Sequence, residues 1–338
     1  MKSYAAVVMG ATVLAASWAS GPAHAGTGLT QVDSVTVFYP TQAQDKPVTR
    51  GPFTLRLAEN AAPAPGNNRL VVLSHGSGGA AWSYTDLARL LVQAGYIVAV
   101  PEHEGDNWHD QAKIGPASWK QRPAEISKAI DTMAKDARFG PLFDAKKVGM
   151  YGMSAGGHTA LVLAGGRWSP SQLLKHCEAH LDEDFNTCAA PVTLLDGGVL
   201  DGMKKTIARG VIRNRLDDSK WYSHTDPRIV AIGAEVPFAA DFDVESLRAP
   251  TARLGFVRAH QDIWLAPRWH LNPIAEACKT CEMIADLPGA GHGSLLSPPV
   301  PRLGGNVATL LADPPGFDRA EVPRVHAKVV AFFRKHLE

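Results

Sequence analysis

The run Val148-Gly-Met-Tyr-Gly-Met-Ser-Ala-Gly-Gly157 sets Ser154 between glycines directly after a short apolar segment. Met between a strand and a helix, the pattern G-x-S-x-G has the form of a nucleophile elbow: the serine is forced into a sharp turn, its hydroxyl projects, and the glycines keep neighbouring side chains out. A serine hydroxyl is a poor nucleophile until a base takes its proton and a third group orients that base. In this topology the acid and then the histidine follow the serine along the chain. His292, in Leu-Pro-Gly-Ala-Gly-His-Gly-Ser-Leu-Leu-Ser-Pro, fits the base because it follows the last predicted strand in a glycine-rich loop. His270 precedes that strand, and His326 and His336 lie on or beside the closing helix, so they fit less well. Asp262, just past the strand ending near Ala259, is the expected carboxylate, with Asp241 and Asp243 as rivals after the preceding strand. The chemistry these groups can do is acyl transfer, which also requires two N–H donors for the tetrahedral oxyanion. Ala155, at the start of the helix, supplies one, and Ser77 in the loop Ser-His-Gly-Ser-Gly-Gly supplies the other. No lysine follows that loop, as a phosphate-binding loop would need.

Such side chains need a sheet whose strands end at a common edge. Residues 30–40 and 51–59, rich in β-branched and aromatic types, are expected as antiparallel strands at a sheet edge. Residues 69–76 form a continuous apolar run, as a strand buried on both faces does. Residues 83–95 place Leu87, Leu90, Leu91 and Ala94 at helical spacing, with Ser83 or Thr85 as N-cap and Gly95 as the stop. A strand over 96–105, a helix over 122–136 through Ile126, Ile130 and Met133, a strand over 147–152 and a helix from Ser154 to Gly166 continue the pattern. Alternation of this kind gives an α/β fold, a mostly parallel central sheet with helices on both faces. From about 167 to 225 the rhythm breaks into an irregular stretch with weak strand signals, read as an insertion that partly covers the site. Strands at 226–237 and 249–259, a helix or loop over 272–291 leading into a last strand near 282–286, and a closing amphipathic helix carrying Val325, Val329, Phe332 and Phe333 complete the chain.

The 338 residues, 45% hydrophobic, suffice for one large core, and the absence of a repeat leaves one domain with an insertion. A net charge of +1, with no basic run, argues against nucleic acid as the partner. Lys2, an apolar stretch from Tyr4 to about Ala16 and small residues ending in Ala23-His24-Ala25 have the layout of a cleaved secretory signal over residues 1–25. The apolar run is short for a membrane span, so a periplasmic or secreted mature chain over 26–338 is expected. In such a compartment Cys177, Cys188, Cys278 and Cys281 read as disulfide staples in preference to a zinc or redox site. Proximity favours Cys177 with Cys188 and Cys278 with Cys281, while cross-pairing stays open.

Taken together, "LSHGSGG", "YGMSAGG", "HQD" and "GAGHGSLLSP" resemble the α/β-hydrolase superfamily, and within it the branch of predicted dienelactone hydrolases that is similar to platelet-activating-factor acetylhydrolases. The resemblance runs over most of the mature chain, including "DPRIVAI" and "GFDRAEVPRVHAKVVAFFRKHL". It implies hydrolysis of carboxylic esters, small-molecule or lipid-like, without metal or organic cofactor, with the triad on Ser154, Asp262 and His292. True dienelactone hydrolases use a cysteine nucleophile, so the branch label does not give the substrate. Trp82, Trp108 and Trp264, near loops that edge the site, are candidates for an apolar acyl or aryl pocket. A serine peptidase or amidase sharing the triad, and a noncatalytic binding protein on the same scaffold, are the alternatives.

Overall fold

The computed structural model describes residues 25–189, 192–300 and 304–338. The expected signal segment lies outside the described residues apart from Ala25. Among the described residues twelve strands form, β1 (Gly26–Val32), β2 (Val35–Thr41), β3 (Lys46–Arg50), β4 (Phe53–Glu59), β5 (Leu70–Ser74), β6 (Ile97–Pro101), β7 (Val148–Met153), β8 (Arg167–Trp168), β9 (Ile229–Glu235), β10 (Phe242–Asp243), β11 (Arg253–Ala259) and β12 (Glu282–Leu287). Ten of them make one sheet in the order β12-β11-β9-β7-β5-β6-β2-β1-β4-β3. From β12 to β6 all neighbours are parallel, and β2 then pairs antiparallel with β6. The fold expected from the alternation of strands and helices is the one observed.

The N-terminal edge differs from expectation in detail. Where two strands are read from the sequence, residues 26–59 fold as two hairpins, β1 with β2 and β3 with β4. The first turns at Asp33, a non-glycine residue at φ 51°, so no glycine marks the break.

The parallel strands are buried on both faces, and their period of two assigns side chains to opposite layers. Leu70 and Val72 of β5 share one cluster with Ile126, Ile130 and Met133 of the helix Pro116–Lys135. Val71 and Leu73 share the other with Leu87 and Leu91 of Thr85–Gln93 and with Val325, Val329 and Phe333 of Glu321–Leu337. Numbered in chain order, these helices are α1 (Thr85–Gln93), α2 (Pro116–Lys135) and α9 (Glu321–Leu337), and α3 (Ala155–Leu163) lies beside α2. Helix α2 begins at Pro116, earlier than predicted, because proline at the first helical position needs no N–H partner.

The segment 167–225 corrects the expectation of an irregular insertion with weak strands. Its described residues are mainly helical, with α4 (Pro170–His180), α5 (Phe185–Ala189) and α6 (Asp201–Arg215), beside the short strand β8, which Tyr222 meets in a single bridge. Its buried faces are narrow, Leu173 and Cys177 on α4, Ala208 and Ile212 on α6, so the apolar period is diluted by charged residues. A disulfide between Cys177 and Cys188 ties α4 to α5, and a second joins Cys278 to Cys281 between α7 (Leu271–Ala277) and β12. A further helix, α8 (Gly305–Leu311), precedes α9.

Candidate active site

Strand β7 ends at Met153 and α3 starts at Ala155, leaving Ser154 alone at the turn with φ 57° and ψ −117°. Few non-glycine residues adopt such a backbone, and it is tolerated only where the surroundings enforce it. The flanking glycines are what allow the turn. A Cβ on Gly152 would lie 2.0 Å from the Gly156 oxygen, and one on Gly156 would lie 1.9 Å from the Ser74 oxygen.

The structure brings the three predicted side chains into contact. Ser154 Oγ lies 3.1 Å from His292 Nε2, and His292 Nδ1 lies 2.7 Å from Asp262 Oδ2. Asp262 Oδ1 accepts the backbone N–H groups of Trp264 and Leu265, both at 2.9 Å. Burial by itself would raise the Asp262 carboxyl, but the His292 imidazole and these amides outweigh it and hold the group below its ordinary value. The histidine loop is tightly seated: a Cβ on Gly291 would meet Pro314 at 2.8 Å, and one on Gly293 would meet the Leu311 backbone at 2.7 Å. From α9, His326 braces the same loop through the Leu295 oxygen at 3.2 Å.

The rivals are engaged elsewhere. Asp241 pairs with His158 at 3.1 Å and Asp243 with Arg167 at 2.6 Å. His270 accepts the Ala239 amide and contacts the Thr187 hydroxyl of α5, and Asn186 donates to the Ile263 oxygen, so the helical insertion is bonded to the loop that carries Asp262.

Neither the Ser77 nor the Ala155 amide has an acceptor within the described residues. The loop that carries Ser77 lies against the elbow, since a Cβ on Gly76 would stand 3.5 Å from Ser154 Cβ. Trp108 is 50% exposed, donates its amide to the Gly79 oxygen of that loop, and packs edge-on against Trp82 with ring centroids 5.2 Å apart. Trp82 also lines a cavity with Leu29, Phe38 and Leu55 of the N-terminal hairpins. Trp264 is buried, and its backbone N–H donates to the Asp262 carboxylate.

Several polar groups at the site are not singled out by the sequence reading. Ser74, His103 and Glu125 form a second Ser–His–carboxylate chain, with contacts of 2.8 Å and 2.6 Å. Ser74 and His103 are buried, and the Ser74 carbonyl abuts Gly156 behind the elbow. Burial, helped by the Arg122 charge, holds His103 well below its usual value and so favours the neutral imidazole. Arg122 could have been noticed, because it falls in register with Ile126 and Ile130 on the apolar face of α2.

Glu235, at the end of β9, is also buried, and it accepts the Tyr151 hydroxyl at 2.6 Å. Burial pushes its carboxyl up to about 7 despite that bond and the nearby His292. Between its ordinary 4.5 and that value the folded chain holds a proton the unfolded chain has released, so stability present at low pH is lost as pH rises through about 7. A Glu235→Gln variant, still able to accept from Tyr151, is expected to be more stable than the parent above neutrality, by up to about 3 kcal/mol. Thermal unfolding followed from about pH 5 to 8 should then show a flatter profile for the variant, and identical profiles would refute this.

Neither a family model nor a curated protein matches the chain. Among solved structures it is similar to the ferulic acid esterase from Streptomyces cinnamoneus, with a TM-score of 0.57 and 18% identity, over 95% of this chain and 92% of that one. The fold is of the α/β-hydrolase type. At that identity the likeness concerns architecture, and the case for chemistry rests on the residues themselves.

Proposed function

We propose that the protein is an exported serine hydrolase that cleaves carboxylic esters through an acyl-enzyme on Ser154. The observation that carries this reading is the unbroken contact from Ser154 Oγ through His292 to Asp262 Oδ2. With its second oxygen engaged by two amides, Asp262 accepts the His292 Nδ1–H, which leaves the Nε2 lone pair facing the serine hydroxyl. His292 takes the Ser154 proton as Oγ bonds to the ester carbonyl carbon, and the oxyanion rests on the Ser77 and Ala155 amides. The imidazolium returns the proton to the departing alkoxide. Water, deprotonated by the same imidazole, then attacks the acyl-serine, and collapse releases the acid and restores the hydroxyl.

Within the superfamily we assign the chain to the predicted dienelactone hydrolase branch, near platelet-activating-factor acetylhydrolases, on its elbow and histidine-loop motifs. Residues 1–25 act as the signal peptide and 26–338 as one domain, with the insertion at about 167–225 serving as a partial lid. The two disulfides support a periplasmic or secreted location. Trp82, Trp108 and Trp264 contribute to the walls of the substrate pocket, Trp108 at its rim.

The test is hydrolysis of p-nitrophenyl acetate, butyrate and octanoate by the mature chain, with fluorophosphonate labelling mapped to its serine. Turnover with the label on Ser154 is expected. An inert, unlabelled protein would rule the reading out.

A further inference from the structure

The loop that offers the Ser77 amide runs from His75 to Gly79 and contains three glycines, which leave its backbone permissive, and one turn bond, Gly79 N–H to Gly76 O at 3.0 Å, closes it. Directly behind it lies an ion pair with no solvent exposure on either side chain, Arg122 Nη2 to Asp106 Oδ2 at 2.8 Å. Burying two charges is expensive, and apolar residues often serve stability as well, so the pair calls for another explanation.

Several of its other hydrogen bonds go to the loop. Arg122 donates to the His75 oxygen at 2.5 Å and to the Gly76 oxygen at 3.5 Å. Asp106 accepts the Gly78 amide at 2.9 Å and the Ser77 hydroxyl at 3.3 Å. Ser118 closes the ring, accepting from Arg122 Nε at 2.9 Å and donating to Asp106 Oδ2 at 2.7 Å. In a trans peptide the carbonyl and the next N–H point in opposite directions. The Gly76 carbonyl takes the His75 ring at 2.8 Å and the Gly79 amide at 3.0 Å with the guanidinium at 3.5 Å, while the pair holds His75 O on one side of Ser77 and Gly78 N–H on the other; the Ser77 N–H, opposite that carbonyl, has no acceptor in the described residues.

We propose that the buried Arg122–Asp106 pair, closed by Ser118, is a positioning device that fixes the direction of the Ser77 N–H toward the oxyanion. It touches no substrate, and the inference rests on the reading of Ser154 as the nucleophile. Loosening the pair leaves substrate binding intact and weakens the hold on tetrahedral species alone. Both kcat and the affinity for a boronic acid, which becomes tetrahedral on the serine, then fall together while KM stays put.

The experiment compares wild type, Arg122→Lys and Ser118→Ala in the mature chain, using kcat and KM on p-nitrophenyl butyrate and Ki for phenylboronic acid. Arg122→Lys cannot keep the forked contacts and is expected to lower kcat by about 100-fold, with KM within about twofold and Ki raised by a similar factor to kcat. Ser118→Ala removes no charge, so it folds if Arg122→Lys does not, and it should lower kcat and boronate affinity by about 5-fold each. A folded variant with wild-type kcat, or with reduced kcat and unchanged boronate Ki, overturns the proposal. A wild-type protein that neither turns over ester nor takes a fluorophosphonate overturns the serine reading and this inference with it, a result distinguishable from an active wild type with indifferent variants.

Discussion

Ser154→Ala is expected to lower kcat/KM on p-nitrophenyl butyrate by at least about 10⁴-fold, leaving only what binding and the oxyanion amides supply. The loss is large because, among the described residues, Ser154 is the hydroxyl that meets His292 Nε2. A companion variant separates chemistry from folding. Ser154 stands at φ 57°, where glycine is at ease and both serine and alanine are strained. Ser154→Gly should therefore be as inactive as Ser154→Ala yet melt higher than the parent, with about 1–2 kcal/mol of strain released. Steady-state kinetics and thermal unfolding of the two variants read this directly, and an active alanine variant would remove Ser154 from the mechanism.

Asp262→Asn should be nearly as damaging, about 10³- to 10⁴-fold in kcat, with little change in fold. The reason lies in the partners of the carboxylate, which receives three donors: the Trp264 and Leu265 amides and the His292 ring. Asparagine has one acceptor oxygen. With that oxygen facing the two amides, its NH₂ group points at His292 Nδ1 and forces the ring proton onto Nε2, where it meets the Ser154 hydroxyl as a donor and not as a base. Activity rising steeply with pH, as hydroxide takes over the base's role, would be the accompanying signature. A variant within about tenfold of wild type would instead make the aspartate dispensable.

The elbow is legible in the sequence because backbone crowding selects glycine at Gly152, against the Gly156 oxygen, and at Gly156, against Ser74 of the neighbouring strand, and both glycines fall within five consecutive residues. The positions of Asp262 and His292 are legible for a different reason: each follows a strand, β11 or β12, whose carboxyl end lies on the same side of the parallel sheet as that of β7. The insertion is less so. Its helices bury one narrow stripe each and lean on a disulfide, so their period is weak and an irregular stretch is the natural reading. The first hairpin hides because Asp33 and not glycine takes the left-handed turn. The Arg122–Asp106 pair leaves a single trace, a cation in an apolar helical register, and its partner comes from a loop that no periodicity describes.

Two Ser–His–carboxylate chains stand within this one protein, and by interatomic distance the hidden one, Ser74–His103–Glu125, is the tighter. A template search that scores only separations among three side chains would rank it first. The difference that matters is access: Ser74 has no exposed surface and backs onto Gly156, whereas Ser154 is partly open to solvent on a turn with two unclaimed amides near it. Any survey that assigns reactivity from triad geometry thus has an internal control in this chain, with a decoy on the neighbouring strand, where Ser74 pairs with Gly152 two residues before the candidate nucleophile.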